Sequence, residues 1–233
     1  MRRRDFVRIC AASAATTALP VISEGAPLTA RGYARTKLVD ERGDALRIGS
    51  LAVGANYVFD YPYAATPCFL LRLDRPAPGG VELRTEAGEA YRWEGGIGPG
   101  KSVVAYSAIC AHKMAYPTKQ VSFIAYRDGP SPVAGAGKVI ACCSERSVYD
   151  PAAGARVVSG PAPQPLCTIL LEHDAAHDEV YAVGTFGGEK FADFFRKYEF
   201  KLQIEMGNRA HAAVSGSSVV RPLEHYSMQW ARC

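Results

Sequence analysis

The chain of 233 residues has no concentrated charge of one sign and no repeated motif. Its formal net charge is +4, but residues 1–19 contain four arginines and one aspartate, a balance of +3, so the rest of the chain carries only about +1. Proteins that bind nucleic acid usually carry clustered basic residues, so we do not expect nucleic acid as a partner. Hydrophobic residues make up 48% and charged residues 21%, which is ordinary for one sizeable globular domain with extensions.

A nucleotide-binding loop is also missing. The nearest candidate is "GGIGPG" at residues 95–100, which lacks the Lys-Ser/Thr pair and leads into a strand-like run instead of a helix. We interpret it as a hairpin turn. Long apolar runs are missing too, because no segment reaches the roughly 20 residues that a membrane-spanning helix requires.

The N-terminal segment accounts for most of the net charge. "MRRRDFVRICAASAATTALPVIS" places a basic stretch before an alanine-rich apolar run, as in an export signal. The order Arg3-Arg4-Asp5-Phe6-Val7 resembles the twin-arginine (Tat) export motif. We therefore expect residues 1–25 to be a Tat-type signal or an uncleaved N-terminal anchor, and the protein to be periplasmic, with the membrane reached only through this segment.

Short apolar or alternating runs recur between turn signals from residue 51 onward, for example "CFLLRLD", "SVVAYSAIC", "QVSFIAYR", "KVIACC" and "EVYAVGTF". Many short strands at this spacing predict an all-β sandwich or barrel. We expect an extended lead-in at residues 26–50, the β domain at residues 51–186, and a helix with a C-terminal tail at residues 187–233. The helix is predicted at residues 188–200, where four aromatic residues at helical spacing form a packing face: Phe191, Phe194, Phe195 and Tyr198.

The cysteines admit both disulfides and metal ligation. Of the seven, Cys10 lies in the N-terminal segment, and the remaining six are Cys68, Cys110, Cys142, Cys143, Cys167 and Cys233. An even set in an exported protein suggests disulfides, and the plainest pair is Cys68 with Cys167. Metal chemistry competes for Cys110, which lies one residue from His112, and for the adjacent pair Cys142 and Cys143.

Two loops are the strongest functional signal. A strand-like run leads into Cys110-Ala111-His112, and a second leads into "CCSERSVYD" at residues 142–150, with "GPAP" following at residues 160–163. Two hairpin tips that offer thiolates and an imidazole, with a rigid proline loop nearby, suit a small metal cluster close to the surface.

Residues 102–181 resemble a Rieske [2Fe-2S] domain. The resemblance implies an antiparallel β-sandwich with the cluster loops at one end, plus one short C-terminal helix here. In that family two thiolates hold one iron and two imidazoles hold the other. It implies Cys110 and His112 as ligands from the first loop, the hydroxyls of Ser147 and Tyr149 as donors to sulfur, and a covering loop at Gly160 and Pro161. Such hydroxyl donors raise the reduction potential.

This chain departs from the family pattern at three positions. The cysteines that join the two loops in many Rieske domains are replaced by Ala115 and Ser144. The histidine of the second loop is missing: if Cys142 is the thiolate, Glu145 stands in its place, and if Cys143 is the thiolate, Arg146 does. Arginine stays protonated and offers no lone pair. Glutamate can ligate iron, but its negative charge lowers the potential.

Three outcomes follow for the site. The chain binds an altered [2Fe-2S] cluster through Cys110, His112, one of Cys142 or Cys143, and either Glu145 or the second cysteine. Alternatively, Cys233 arrives from the C-terminus as a remote ligand. In the third outcome the cluster is lost and the domain is a cluster-free interaction or scaffold subunit. A mononuclear zinc or copper site with three of these ligands is a further, weaker hypothesis, because zinc favours four.

The leading functional hypothesis is a periplasmic electron-transfer protein or small subunit. It would pass single electrons between a redox enzyme's large subunit and a c-type cytochrome or similar carrier, with His112 as the exposed edge. Small subunits of periplasmic molybdenum oxidases offer a similar architecture. We expect the protein to be an electron-transfer subunit of an oxidoreductase rather than a catalyst by itself.

Overall fold

A computed structural model of the chain describes residues 28–233. The expected signal or anchor at residues 1–25 lies outside the described residues, as does Cys10. Among residues 28–233, no helix combines the length and the apolar character that crossing a membrane requires.

The described chain is built mainly from short strands, as the sequence predicts. In chain order the strands are β1 (Arg31–Val39), β2 (Tyr57–Asp60), β3 (Pro67–Arg72), β4 (Val81–Arg84), β5 (Ala90–Trp93), β6 (Val103–Ser107), β7 (Val121–Ser122), β8 (Ile124–Arg127), β9 (Val139–Cys142), β10 (Ser147–Asp150), β11 (Arg156–Ser159), β12 (Thr168–Asp174), β13 (Glu179–Phe186), β14 (Gly216–Val219), β15 (Arg221–Pro222) and β16 (Gln229–Trp230). The helices are α1 (Phe191–Met206) and α2 (Leu223–Tyr226), with 3-10 turns at Ile48–Ser50, Pro151–Ala153 and Gly207–His211. The expected all-β class with one main helix is confirmed.

Eight strands form one large sheet in the order β14-β1-β13-β12-β6-β3-β2-β15. Its neighbours are antiparallel except β1 with β14. The two outermost strands, β14 and β15, are separated in the chain only by Val220. The sheet therefore curls so that a single segment, residues 216–222, pairs with β1 at one edge and with β2 at the other.

Both faces of the large sheet are buried. On β3, Phe69 and Leu71 face one core, whereas Cys68 and Leu70 face the other. A strand buried on both faces must be apolar at consecutive positions, which explains the uninterrupted run "CFLL". One core lies inside the curl of the large sheet, and the other also contains residues of a small four-stranded sheet.

The small sheet has the order β11-β10-β9-β8 and carries the second candidate loop. Its apolar side chains, including Ile124, Ile140 and Tyr149, join Tyr106 of the large sheet in a shared core. Cys110 and Cys142 belong to this same core, so the two candidate loops meet where the two sheets pack together. The arrangement agrees with the expected sandwich-like packing, with the loops at one end.

The terminal segments are built into the β structure. The expected lead-in at residues 26–50 includes β1, an extended strand that pairs with β13 in the large sheet. Helix α1 runs from Phe191 to Met206, longer than the predicted residues 188–200. Its aromatic residues pack against Ile109 and Tyr116, as the predicted packing face requires. The domain boundaries at residues 51 and 187 stay predictions.

Candidate metal centre

The first loop, residues 110–115, is closed by its own backbone. The Cys110 amide donates to the Ala115 carbonyl at 2.9 Å, and the Met114 amide donates to the Cys110 carbonyl at 2.9 Å. A turn closed by these two hydrogen bonds places one residue in the left-handed region of backbone conformation. That residue is Met114, with φ +60°. Cys110 is fully buried, while the His112 side chain is 27% exposed. The loop therefore presents a buried thiol and a partly exposed imidazole.

The second loop, residues 142–147, is the tip of the β9–β10 hairpin. Cys142 ends β9 and pairs across the ladder with Ser147, the first residue of β10. Four residues remain for the turn, and Arg146 supplies its left-handed position with φ +56°. Cys142 is fully buried, and the Arg146 side chain is exposed.

The structure distinguishes the two cysteines of the second loop. Cys143 forms a disulfide with Cys233, with a Cα–Cα distance of 5.6 Å, whereas Cys142 is a free, buried thiol. The expectation that Cys143 could be a metal ligand therefore differs from the structure, because its sulfur is already bonded. Cys233 does reach this loop, but through the disulfide and not as a remote ligand. The register with Cys142 as the thiol and Glu145 in the histidine position is the one that the geometry favours.

The disulfide suggested for Cys68 and Cys167 is wrong. Both thiols are free and buried. The Cys68 sulfur lies 3.0 Å from the Tyr61 carbonyl oxygen, while the Cys167 sulfur lies 3.8 Å from the carbonyl oxygens of Phe186 and Gly187. The two side chains thus occupy different surroundings, which the even cysteine count could not reveal.

The four remaining candidate ligands form two pairs. The thiols of Cys110 and Cys142 are neighbours, and the His112 Nδ1 atom lies 3.2 Å from the Glu145 Oε2 atom. Within residues 28–233, no three His, Cys, Asp or Glu side chains converge as a site for one metal ion. A two-iron cluster takes two protein ligands on each iron, so a thiol pair beside a second pair matches its donor set.

Tyr149 connects the two loops. Its hydroxyl oxygen lies 3.3 Å from the Cys110 sulfur and accepts a hydrogen bond from the Ala111 amide at 3.2 Å. The hydrogen bond from the Cys142 thiol, helped by the Tyr149 hydroxyl and two loop amides, lowers the pKa of Cys110 to about 6 despite burial. The same interaction with Cys110, together with burial, raises the pKa of Cys142. The surroundings thus favour a thiolate at Cys110.

Two buried polar atoms at the site have no hydrogen-bond partner among residues 28–233. These are the Ser147 Oγ atom and the His112 Nδ1 atom. Buried polar groups are nearly always paired, so each exception points to an interaction with a further group. Ser147 is fully buried and lies opposite Cys142 in the ladder, where its hydroxyl would donate to a sulfur. The residues present therefore fit a [2Fe-2S] cluster, with Glu145 as the departure.

The proline loop packs directly on the second loop. Gly160 has φ +92°, and a Cβ atom there would lie 2.2 Å from the Arg146 carbonyl oxygen. No other residue fits this contact without displacing the backbone of the second loop. Pro161 follows at an exposed position. The loop thus supports the backbone of the second loop, while its expected role as a cover over a cluster stays a prediction.

A C-terminal clamp, residues 228–233, is a feature that the sequence pattern does not predict. Strand β16 pairs in parallel with β7, and the Ala231 amide donates to the Ser122 carbonyl at 2.8 Å. The Arg127 guanidinium donates to the Cys143 sulfur at 3.3 Å and to the Ala231 carbonyl, and it stacks over the Trp230 ring at 4.6 Å. The clamp therefore joins the second loop to the segment that follows the first loop. The only sign of it in the sequence is the cysteine at the last position, Cys233.

Helix α1 lies against the first loop. Lys197 donates from Nζ to the Lys113 carbonyl, and Tyr198 packs on Tyr116 with a ring-centroid distance of 4.9 Å. Tyr116 also contacts Phe194 at 4.9 Å. The helix thus supports the backbone next to His112, which explains why its aromatic face is buried.

No family model matches the chain. Among solved structures, the chain is similar to the soluble domain of the Rieske protein II (soxF) from Sulfolobus acidocaldarius. The two are 26% identical, the match covers 66% of this chain and 78% of the other, and the TM-score is 0.45.

Proposed function

We propose that this protein carries a [2Fe-2S] cluster between its two loops and transfers single electrons. The observation that supports this most directly is the meeting of two free, buried thiols, Cys110 and Cys142, beside the His112–Glu145 pair. The Ser147 hydroxyl, which has no partner within residues 28–233, and the Tyr149 hydroxyl on the Cys110 sulfur add donors that would tune such a cluster. When bound, the cluster supplies a one-electron redox centre.

The protein residues set the conditions for that chemistry. Cys110 and Cys142 hold the buried side of the site within the core, which limits water access. Tyr149 fixes the position of the Cys110 sulfur and the adjacent amide. His112, at 27% exposure, is the ligand position closest to solvent and the edge at which a partner's redox group would approach.

We propose a partner with an acidic docking surface, such as a c-type cytochrome or the large subunit of a redox enzyme. Exposed Lys113 and Arg146 flank His112 and Glu145, and exposed Lys197 contacts the Lys113 carbonyl. Cationic groups around a redox edge increase the encounter rate with an anionic partner, and salt weakens the effect. In this proposal the protein is a subunit or carrier and not a catalyst by itself.

The proposed location is the periplasm, after export through the twin-arginine route. The support is the Arg3-Arg4-Asp5-Phe6-Val7 sequence and the apolar run that follows it. Replacing both Arg3 and Arg4 by Lys should leave the protein in the cytoplasmic fraction, and unchanged periplasmic recovery would contradict this route.

The experiment on the cluster compares cysteine variants of the full chain. We expect iron, acid-labile sulfide and an EPR signal after reduction in the wild type, and their loss in Cys142→Ser. Cys143→Ser should keep the cluster, because this sulfur belongs to the disulfide. Cys167→Ser is the matched control, since its buried sulfur lies against carbonyl oxygens that a hydroxyl can also donate to. A wild type without iron and sulfide rejects the proposal.

A cluster-free scaffold subunit is the second candidate. Its support is that His112 and Glu145 can form an ion pair and that the two thiols interact with each other, so the site partly satisfies itself. In this case the wild type would lack iron and sulfide but still bind its partner.

A further inference from the structure

We infer that Glu145 is the fourth protein ligand of the cluster, in the position of an imidazole. This inference rests on the proposed function and specifies its donor set as Cys110, Cys142, His112 and Glu145. The starting observation is that the second loop turns the Glu145 carboxylate inward, because its side chain is only 20% exposed although it lies at a hairpin tip.

The distance between the two side chains suits two ligands of one metal ion. The His112 Nδ1 atom lies 3.2 Å from the Glu145 Oε2 atom, yet Nδ1 makes no hydrogen bond among residues 28–233. Two donors on one tetrahedral metal, with bonds of about 2.1 Å, lie about 3.4 Å apart. A metal ion bound by both atoms would explain why Nδ1 and Oε2 lie this close without a hydrogen bond between them.

The carboxylate is also oriented by its neighbour. The Ser144 hydroxyl donates to the Glu145 Oε1 atom at 3.1 Å, which leaves Oε2 to face His112. Hydrogen bonds to a ligating carboxylate fix its direction in metal sites. Ser144 therefore acts as a positioning residue for one oxygen, while the other oxygen remains free to ligate.

No other histidine is available for this position. The chain has five histidines, and the four besides His112 pair with acidic residues elsewhere on the molecule. These pairs are His173 with Asp178, His177 with Asp174, His211 with Glu199, and His225 with Glu41.

The other residues of the second loop are also poor candidates. The Cys143 sulfur is in the disulfide. Arg146 is exposed and has no lone pair to offer. Glu145 is thus the only side chain of the second-loop turn, residues 143–146, that combines a lone pair, partial burial and proximity to His112.

A carboxylate changes the redox character of the site. It adds one negative charge where the family pattern has a neutral imidazole, and a negative charge close to the redox centre disfavours the added electron. The reduction potential should therefore lie below that of a cluster with two imidazoles. The chain would then act as a stronger electron donor than the family pattern implies.

The test compares Glu145→His and Glu145→Ala with the wild type, all as full-length protein. We expect Glu145→His to retain iron and sulfide, to show the EPR signature of two-imidazole ligation, and to have a higher reduction potential. We expect Glu145→Ala to lose iron to a chelator at least about tenfold faster, because loss of a direct ligand should weaken the site no less than loss of an outer-shell partner does. Glu199→Gln is the matched control, because Glu199 pairs with His211 at 3.1 Å away from the site. It should match the wild type in all readouts.

The outcomes distinguish failure of the ligand role of Glu145 from failure of the electron-transfer proposal. If the wild type contains the cluster and Glu145→Ala keeps the wild-type spectrum, potential and rate of iron loss, Glu145 is not a ligand, and the electron-transfer proposal survives. An unchanged potential in a cluster-loaded Glu145→His protein leads to the same rejection. Absence of iron and sulfide from the wild type rejects the electron-transfer proposal and the ligand together. Circular dichroism of each variant identifies any that does not fold.

Discussion

The two loops of the candidate site differ in what holds them. The first loop closes on itself through two backbone hydrogen bonds between Cys110, Met114 and Ala115, and a helix packs against it. The second loop is held from outside, by the disulfide from Cys143 to Cys233 and by the contact of Gly160 with the Arg146 carbonyl.

The difference shows how this chain keeps its two hairpin tips together. Ala115 and Ser144 carry no sulfur, so no disulfide can join the two loops at these positions. Here the C-terminal clamp connects the second loop to residues 119–123, which follow the first loop. This link is covalent at one point, the disulfide between Cys143 and Cys233. The first loop is therefore closed by its own hydrogen bonds and backed by α1, whereas the second loop is attached through the disulfide and the Gly160 contact.

Removing the disulfide should have the largest effect. Cys233→Ser opens a bond between residues 90 positions apart in the chain. Because the cross-link restricts the unfolded chain, we expect the free energy of unfolding to fall by about 2–4 kcal/mol in urea titrations. Cys143→Ser should have a similar effect, and the double variant should add little more. A reducing agent should destabilise the wild type but not the variants, and equal sensitivity would contradict the role of this disulfide.

Gly160→Ala should weaken the second loop through its other support. The new Cβ atom meets the Arg146 carbonyl oxygen at 2.2 Å, and φ is +92°, so we expect a loss of about 2–4 kcal/mol from overpacking and backbone strain together. Gly43→Ala is the matched control, because its φ is +88° and a Cβ atom there has no heavy atom within 4 Å. The control should lose only about 1 kcal/mol, from the strain alone. Equal losses would show that contact with the second loop is unimportant.

Tyr149→Phe should affect both loops, because this residue of β10 contacts Cys110 and Ala111. Loss of the hydroxyl leaves the Ala111 amide without its acceptor and should cost about 1–2 kcal/mol of stability. If the cluster is bound, its reduction potential should fall, since a donor to sulfur is lost. Tyr106→Phe removes a buried hydroxyl that donates to the Pro151 carbonyl at 2.7 Å. This control should lose stability without changing the reduction potential. If Tyr106→Phe lowers the potential as much as Tyr149→Phe does, the Tyr149 hydroxyl has no specific effect on the cluster.

The smallest effects are expected at the left-handed residues of the two loops. Arg146 is exposed with φ +56°, so Arg146→Gly should relieve strain and raise the free energy of unfolding by up to about 1 kcal/mol. Met114 has φ +60° but packs against the aromatic residues around α1. Met114→Gly should therefore lose packing and destabilise the protein. If the free energy of unfolding changes in the same direction for both variants in urea titrations, local packing does not distinguish the two loops.

Much of the architecture follows from local patterns in the sequence. Short apolar runs between turns predict the strands, and the spacing of Phe191, Phe194 and Phe195 predicts α1 with its buried face. These features depend on neighbouring residues, so they can be read along the chain. The pattern predicts the start of the helix to within a few residues but not its end at Met206, because the exposed residues after Tyr198, such as Phe200 and Ile204, give no clear amphipathic signal.

The cysteine chemistry was less predictable. The sequence alone left Cys142 and Cys143 equivalent and favoured a disulfide between Cys68 and Cys167. The structure pairs Cys143 with Cys233 and leaves Cys68, Cys142 and Cys167 free among the described residues. Disulfide partners depend on which side chains approach in space, and a separation of 90 residues carries no local signal.

The sequence by itself determined the class of the fold and the residue types present in the two loops, since these are matters of residue type and spacing. The tertiary structure decided which cysteine is free, where the C-terminus is attached, and that Glu145 faces His112 at 3.2 Å. These three facts arise because the β9–β10 hairpin turns Cys143 outward to the clamp and Glu145 inward to the first loop. The directions in which these two side chains point are set by the packing of the sheets and not by their positions in the chain.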